Sequence, residues 1–108
     1  MHYNQNMYDL DLNLNGGQLL KKIIESSKSA DGNPEDPCLI DSITEFKNKF
    51  NSREKTTLAI LRYAILLKLT KYDIIWLYKS LPVFMSHEYI TEKQCNVISA
   101  FLNGMLSE

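Results

Sequence analysis

A chain of 108 residues is long enough for one domain with a modest hydrophobic core. At 44% apolar and 23% charged it has the composition of an ordinary globular protein, and a formal net charge of −1 offers no basic surface for nucleic acid. Its two cysteines, Cys38 and Cys95, are far apart and lack C-x-x-C spacing, so they read as small buried apolar residues and not as a zinc site or redox pair.

The first residues carry no basic segment followed by an apolar core, so no signal peptide is expected. A membrane span needs about 20 nearly uninterrupted apolar residues. The longest apolar run here is broken by Arg62, Lys68, Lys71 and Asp73, and the expected location is cytoplasmic.

In chain order, residues 1–15 alternate Tyr8, Leu10, Leu12 and Leu14 with Asp9, Asp11 and Asn13. That is the period of a half-buried strand, yet no second alternating segment follows to pair with it. The segment is expected to be an N-terminal arm, extended, helical or mobile, preceding a helical domain over residues 16–108. Asp11-x-Asn13-x-Asn15-Gly16 matches the first half of a calcium loop, but the closing bidentate Glu would fall at Lys22, so Asn15-Gly16-Gly17 reads as a turn.

A first helix is expected from about Gly17 to Ser27, with Leu19, Leu20, Ile23 and Ile24 as its apolar stripe and a polar linker over 26–34. A second starts with Asp36 as N-cap and Pro37 at the first helical position, carries Leu39, Ile40, Ile43, Phe46 and Phe50, and fades at Asn48–Asn51. The third begins at Asn51 or Ser52, with Glu54 favourable in its first turn, and runs to about Leu69. A break at 70–73 lets Ile74, Ile75, Leu77 and Tyr78 start a fourth helix in a new direction, which Pro82 is expected to end. Residues 82–90 then read as a connection. Thr91-x-x-Gln94 has the capping-box form and opens a fifth helix, with Asn103-Gly104 as its C-terminal cap.

The expected fold is all-α: about five helices in antiparallel helix-turn-helix pairs, one with two and three with four, then a single fifth, as a TPR-like array or a small helical bundle. The segment Leu58–Leu69 is interrupted only by Arg62 and Lys68 and is apolar on more than one face. Such a helix must be covered on several sides, either as a central core helix or by sharing a face with a partner.

Catalytic chemistry finds little support in these residues. His2 lies near the start of the chain, and His87 beside Glu88 reads as a surface pair. Asp36 and Asp41 are explained by capping and the helix dipole, and Glu45 with Lys49 by an (i, i+4) pair. With no phosphate loop, H-E-x-x-H or G-x-S-x-G, the chain is expected not to be an enzyme and to need no metal or cofactor. The aromatic residues Tyr72, Trp76, Tyr78, Phe84, Tyr89 and Phe101 concentrate in the second half. Core packing accounts for them; alternatively some line a groove for an apolar helix.

The ungapped segment from Ile60 to Tyr72, Ile-Leu-Arg-Tyr-Ala-Ile-Leu-Leu-Lys-Leu-Thr-Lys-Tyr, resembles part of a known family. That family is the small tetratricopeptide-like co-chaperones that hold the needle subunit of bacterial type III secretion systems. Its pattern is a hydrophobic pair, Arg, an apolar stretch, a turn usually containing Gly, and Tyr; Arg62, Leu66 and Tyr72 fit it. Ile43-Thr44-Glu45-Phe46 is similar to the family's Ile-Ala-Glu-Trp one helix earlier, and Phe101-x-Asn103-Gly104-Met105 to a run near its C-terminus. The likeness covers about residues 36–81. Thr70 stands where the turn Gly is usual, and the last helical hairpin would be shortened or missing.

The resemblance implies a non-enzymatic secretion chaperone that covers the amphipathic helix of a self-assembling needle subunit in an apolar groove. It works with or without a second small helical chaperone and self-associates when alone. By this analogy the concave side draws on Leu61, Ile65, Tyr72, Trp76 and Phe101. About 800 Å² buried per partner is ordinary for a stable complex. A small immunity or anti-activity protein that binds a toxin or regulator fits the size and charge equally. A dimeric transcriptional regulator fits less well, since no helix carries a basic face beside a recognition helix.

Overall fold

The computed structural model describes the backbone of residues 5–108 and the side chains of residues 15–108. Over that range the chain forms five helices: α1 (Gln5–Ala30), α2 (Pro37–Phe50), α3 (Arg53–Leu66), α4 (Lys71–Ser86) and α5 (Glu92–Leu106).

From α2 onward each start is set by one short polar side chain that takes an otherwise orphaned backbone N–H. Asp36 accepts from the Leu39 amide at 3.1 Å, Ser52 from Lys55 at 3.0 Å, Thr70 from Asp73 at 3.0 Å and Thr91 from Gln94 at 3.1 Å. Gln94 Oε1 accepts in return from the Thr91 amide at 2.9 Å, completing the capping box. Asn51 closes α2 in the left-handed conformation at φ 62°, which Asn tolerates better than most residues.

Three expected interruptions are absent. Asn15-Gly16-Gly17 is not a turn: it lies inside α1, and both glycines are buried where the helix approaches α3. A Cβ on Gly16 would strike the Tyr63 ring, and one on Gly17 would sit 3.0 Å from Leu67 Cδ2. The two glycines let the helices come close. Of the arm expected over 1–15, residues 1–4 lie outside the described range, and from Gln5 the backbone continues as α1. Alternation over four positions also places Tyr8 with Leu12 and Leu10 with Leu14 at (i, i+4), so this pattern satisfies a helix as well as a strand.

Pro82, expected to stop α4, lies inside it, and residues 82–86 are helical and not a connection. An internal proline costs about 3 kcal/mol. Val83 and Phe84, just beyond it, are 1% and 0% exposed. Burying two such side chains returns about 3–6 kcal/mol, so helix continuation wins. Asn103-Gly104 likewise does not cap α5, which runs on until Leu106 and Met105 are packed against the core. In the other direction, α3 stops at Leu66, short of Leu69, with Lys68 in the left-handed region at φ 51° before Thr70 caps α4.

The architecture is an all-α small helical bundle gathered round α1. That helix packs on α2, α3 and α4, while α5 lies against α3 and α4. The expected pairing of α3 with α4 is not the organising contact. In a stacked repeat each unit touches only its neighbours in the chain. Here α1 reaches α4, so the layers close on themselves. Hydrogen bonds mark both seams: Lys22 to Glu45 at 2.8 Å and Ser26 to Ser42 at 2.8 Å on the α2 side. On the α4 side Ser27 donates to the Trp76 carbonyl at 3.1 Å, and Lys28 to Asp73 at 2.8 Å. Leu20, Ile23 and Ile24 of α1 meet Ile43 and Phe46 of α2, Ile60 of α3 and Leu77 of α4 in one continuous core.

Candidate functional site

Among the described residues, no group of three or more His, Cys, Asp or Glu could hold a metal, and no helix is long and apolar enough to cross a membrane. His87 is exposed beyond α4 with its ring stacked on Tyr89 at 5.6 Å, and Glu88 lies 3.6 Å from Arg53. Cys95 is buried, as expected, but Cys38 is exposed. It sits in the first turn of α2, one residue ahead of the buried face that starts at Leu39.

What stands out is apolar surface left uncovered. α4 is apolar nearly all round: its charges are Lys71, Asp73 and Lys79. A helix of that kind is normally enclosed. Here its inner face, through Ile74, Leu77, Leu81 and Phe84, fills the core, while Tyr72, Ile75, Tyr78, Pro82 and Met85 face outward. Their spacings of three and four residues make one stripe along the helix.

Asp73, the one acid of α4, points the other way into its ion pair with Lys28. That hydrogen bond holds the Asp73 carboxyl below its ordinary range and lifts the Lys28 ammonium above its own. Lys28 also lies 5.0 Å from the centre of the Tyr72 ring, and Lys79 lies 4.6 Å from that of Trp76.

Beside the stripe, α4 and α5 enclose an open groove of about 200 Å³ lined by Ile75, Tyr78, Lys79, Asn103 and Leu106. Leu106 reaches it because α5 runs past Gly104. Elsewhere on α5, Val97, Ala100 and Gly104 are exposed, and nothing lies within 4 Å of where a Gly104 Cβ would be.

A second uncovered face belongs to α3. Leu58, Ile65 and Leu66 are 64%, 57% and 51% exposed, with Arg62 among them. A shallow depression of about 230 Å³ lies alongside, walled by Phe50, Lys55, Leu58, Ala59, Arg62 and Tyr63. Burial raises the Tyr63 hydroxyl above the usual tyrosine range, against the opposing pull of Arg62. The helix is uncovered here because α1, α2 and α5 occupy its other sides.

The five residues expected to line a concave groove are distributed over these surfaces. Ile65 and Tyr72 are exposed, at 57% and 59%. Leu61, Trp76 and Phe101 are half-buried and packed against the core. Tyr72 and Trp76 meet edge to face, ring centres 6.2 Å apart, as their (i, i+4) spacing allows. The walls of the α4–α5 groove are instead Ile75, Tyr78, Lys79, Asn103 and Leu106. Ile75 and Tyr78 were accessible from the sequence as outer positions of an all-round apolar helix; the α5 wall lay beyond the expected end of that helix.

Trp76 Nε1 is buried and has no hydrogen-bond partner. Comparison of the chain with protein-family models, with curated proteins and with solved structures found no match in any of the three.

Proposed function

We propose that this protein is a non-enzymatic binding module whose uncovered α4 face and α4–α5 groove take an amphipathic helix from another protein chain. The observation that carries this reading is the outer stripe of α4. A lone bundle has no use for Tyr72, Ile75, Tyr78 and Met85 in water, whereas helix-in-groove recognition needs apolar anchors of this kind at helical spacing. The exposed Leu58, Ile65 and Leu66 on α3 support it, since large exposed apolar patches mark interaction sites.

The narrower form of the proposal takes the partner from the likeness over residues 36–81. The chain holds the amphipathic helix of a type III secretion needle subunit in the cytoplasm until export, with or without a second small helical chaperone. Among the described residues, the polar side chains lining the open groove are Tyr78, Lys79 and Asn103, which favours binding over catalysis by a nucleophile with an orienting partner.

The test is purification of the chain alone and with such a subunit. Alone it self-associates or unfolds over a broad range. Co-expression with the short helical subunit gives a stable stoichiometric complex with a sharp transition. A monomer that unfolds sharply and binds no amphipathic helix refutes the general proposal. Binding to other amphipathic helices but not to a needle subunit refutes the narrower one.

A further inference from the structure

The chemistry of the groove says more about its occupant than that it is apolar, and this step rests on the docking reading above. We infer that the segment received between α4 and α5 is an acidic amphipathic helix, with Asp or Glu flanking its apolar anchors.

Charge points this way. Lys79 is the charged residue in the groove wall; Lys71, the other lysine of α4, already donates to the Glu108 main-chain oxygen at 2.9 Å. Asp73, the one acid of α4, is held by Lys28 on the α1 side. Among the described residues Lys79 makes no ion pair; its ammonium rests 4.6 Å from the Trp76 ring centre, beside the groove. A carboxylate arriving there gains a charge-assisted partner at the edge of an apolar surface.

Shape points to a helix. The groove runs between two helices, and among the described residues no strand edge offers main-chain pairing. Asn103 on the α5 wall adds an amide that can bind a carboxylate or a peptide group.

A second copy of this chain is the other natural occupant, and Lys79 argues against it. α4 spans Lys71–Ser86, so its midpoint lies between Tyr78 and Lys79. Two α4 stripes related by a two-fold axis would bring the two Lys79 side chains side by side on that axis. Like charges so placed disfavour the pairing.

The test uses the full chain and two labelled synthetic helices of about 18 residues with the same Leu/Ile stripe, one flanked by Glu and the other by Lys. Fluorescence anisotropy should show the Glu helix binding at least about tenfold tighter at low salt, with the gap narrowing as salt rises. Lys79→Glu should abolish or reverse that preference, and Ile75→Asp should remove binding of both; circular dichroism checks that each exposed substitution leaves the fold intact.

Equal binding of the two helices, lost in Ile75→Asp, overturns the acidic occupant and leaves the docking reading standing. No binding of either helix overturns both. Binding to phosphatidylserine vesicles in place of either peptide, lost in Lys79→Glu, assigns the face to a membrane surface and overturns the inference.

Discussion

Replacing Gly16 with Ala sets two known effects against each other. In a free helix the change stabilises by about 1 kcal/mol, because Gly gives up more backbone entropy than Ala. Here the new Cβ would lie 2.5 Å from Tyr63 Cε2 and Cζ. Tyr63 is 4% exposed and cannot swing aside freely, so α1 and α3 must part. Overpacking of this kind costs about 1–3 kcal/mol, which leaves Gly16→Ala between neutral and about 2 kcal/mol less stable.

The neighbouring glycine is the control. Gly17→Ala meets the flexible end of Leu67 at 3.0 Å, so it should be neutral or stabilise by about 0.5–1 kcal/mol. Urea unfolding followed by circular dichroism and by the single Trp gives both values. In a Tyr63→Ala background the ring is gone, and Gly16→Ala should then stabilise by about 1 kcal/mol. A Gly16→Ala protein more stable than the parent, or the same effect in both backgrounds, refutes the close-approach argument.

Thr56 is fully buried and its hydroxyl has no hydrogen-bond partner, so Thr56→Val should stabilise by about 1 kcal/mol in the same unfolding assay. Trp76→Ala should lose about 2–4 kcal/mol, because that side chain is partly buried and packed against the core; a negligible loss would make Trp76 a pure surface anchor. The Lys28–Asp73 pair predicts a pH profile. Asp73 is lowered from its ordinary 3.8, so its contribution is present above that value and is lost as pH falls through the folded one. Lys28 is raised from 10.5, so its contribution is present below that value and is lost as pH rises through the folded one. Asp73→Asn should flatten the acid limb and reduce the alkaline one, part of which remains from the Lys28–Glu25 contact at 3.1 Å, measured as unfolding free energy against pH, and high salt should shrink the effect in the parent.

The features readable in the sequence are those decided within a few residues. Asp36 with Pro37, Ser52 and the Thr91–Gln94 box start helices where expected, each cap binding a backbone amide three positions on; Thr70 does the same for α4, which therefore begins at Lys71, inside the break expected over 70–73. Three expected interruptions were local signals overruled from a distance. Pro82 yields to the burial of Val83 and Phe84, Asn103-Gly104 to the packing of Met105 and Leu106, and Gly16-Gly17 to the approach of Tyr63.

The site divides the same way. The Tyr72–Trp76 contact follows from spacing along one helix, whereas Asn103 and Leu106 face Ile75 and Tyr78 only because α5 packs on α4. The apolar excess around residues 58–69 was also legible, since those positions are apolar on more sides than the bundle covers. Which helix would occupy the centre was not. α1 takes that place, because its small and polar side chains Ser26, Ser27 and Lys28 bind both neighbours.

The seam between α1 and α4 has a consequence for how the protein is made. Ser27 and its partner carbonyl at Trp76 are 49 residues apart, so the first helix emerges from the ribosome well before the surface that covers it exists. At about 5–20 residues per second, Leu20, Ile23 and Ile24 wait roughly 2–10 s for that cover. During that interval the nascent chain shows cellular quality control a greasy ridge that the finished molecule hides.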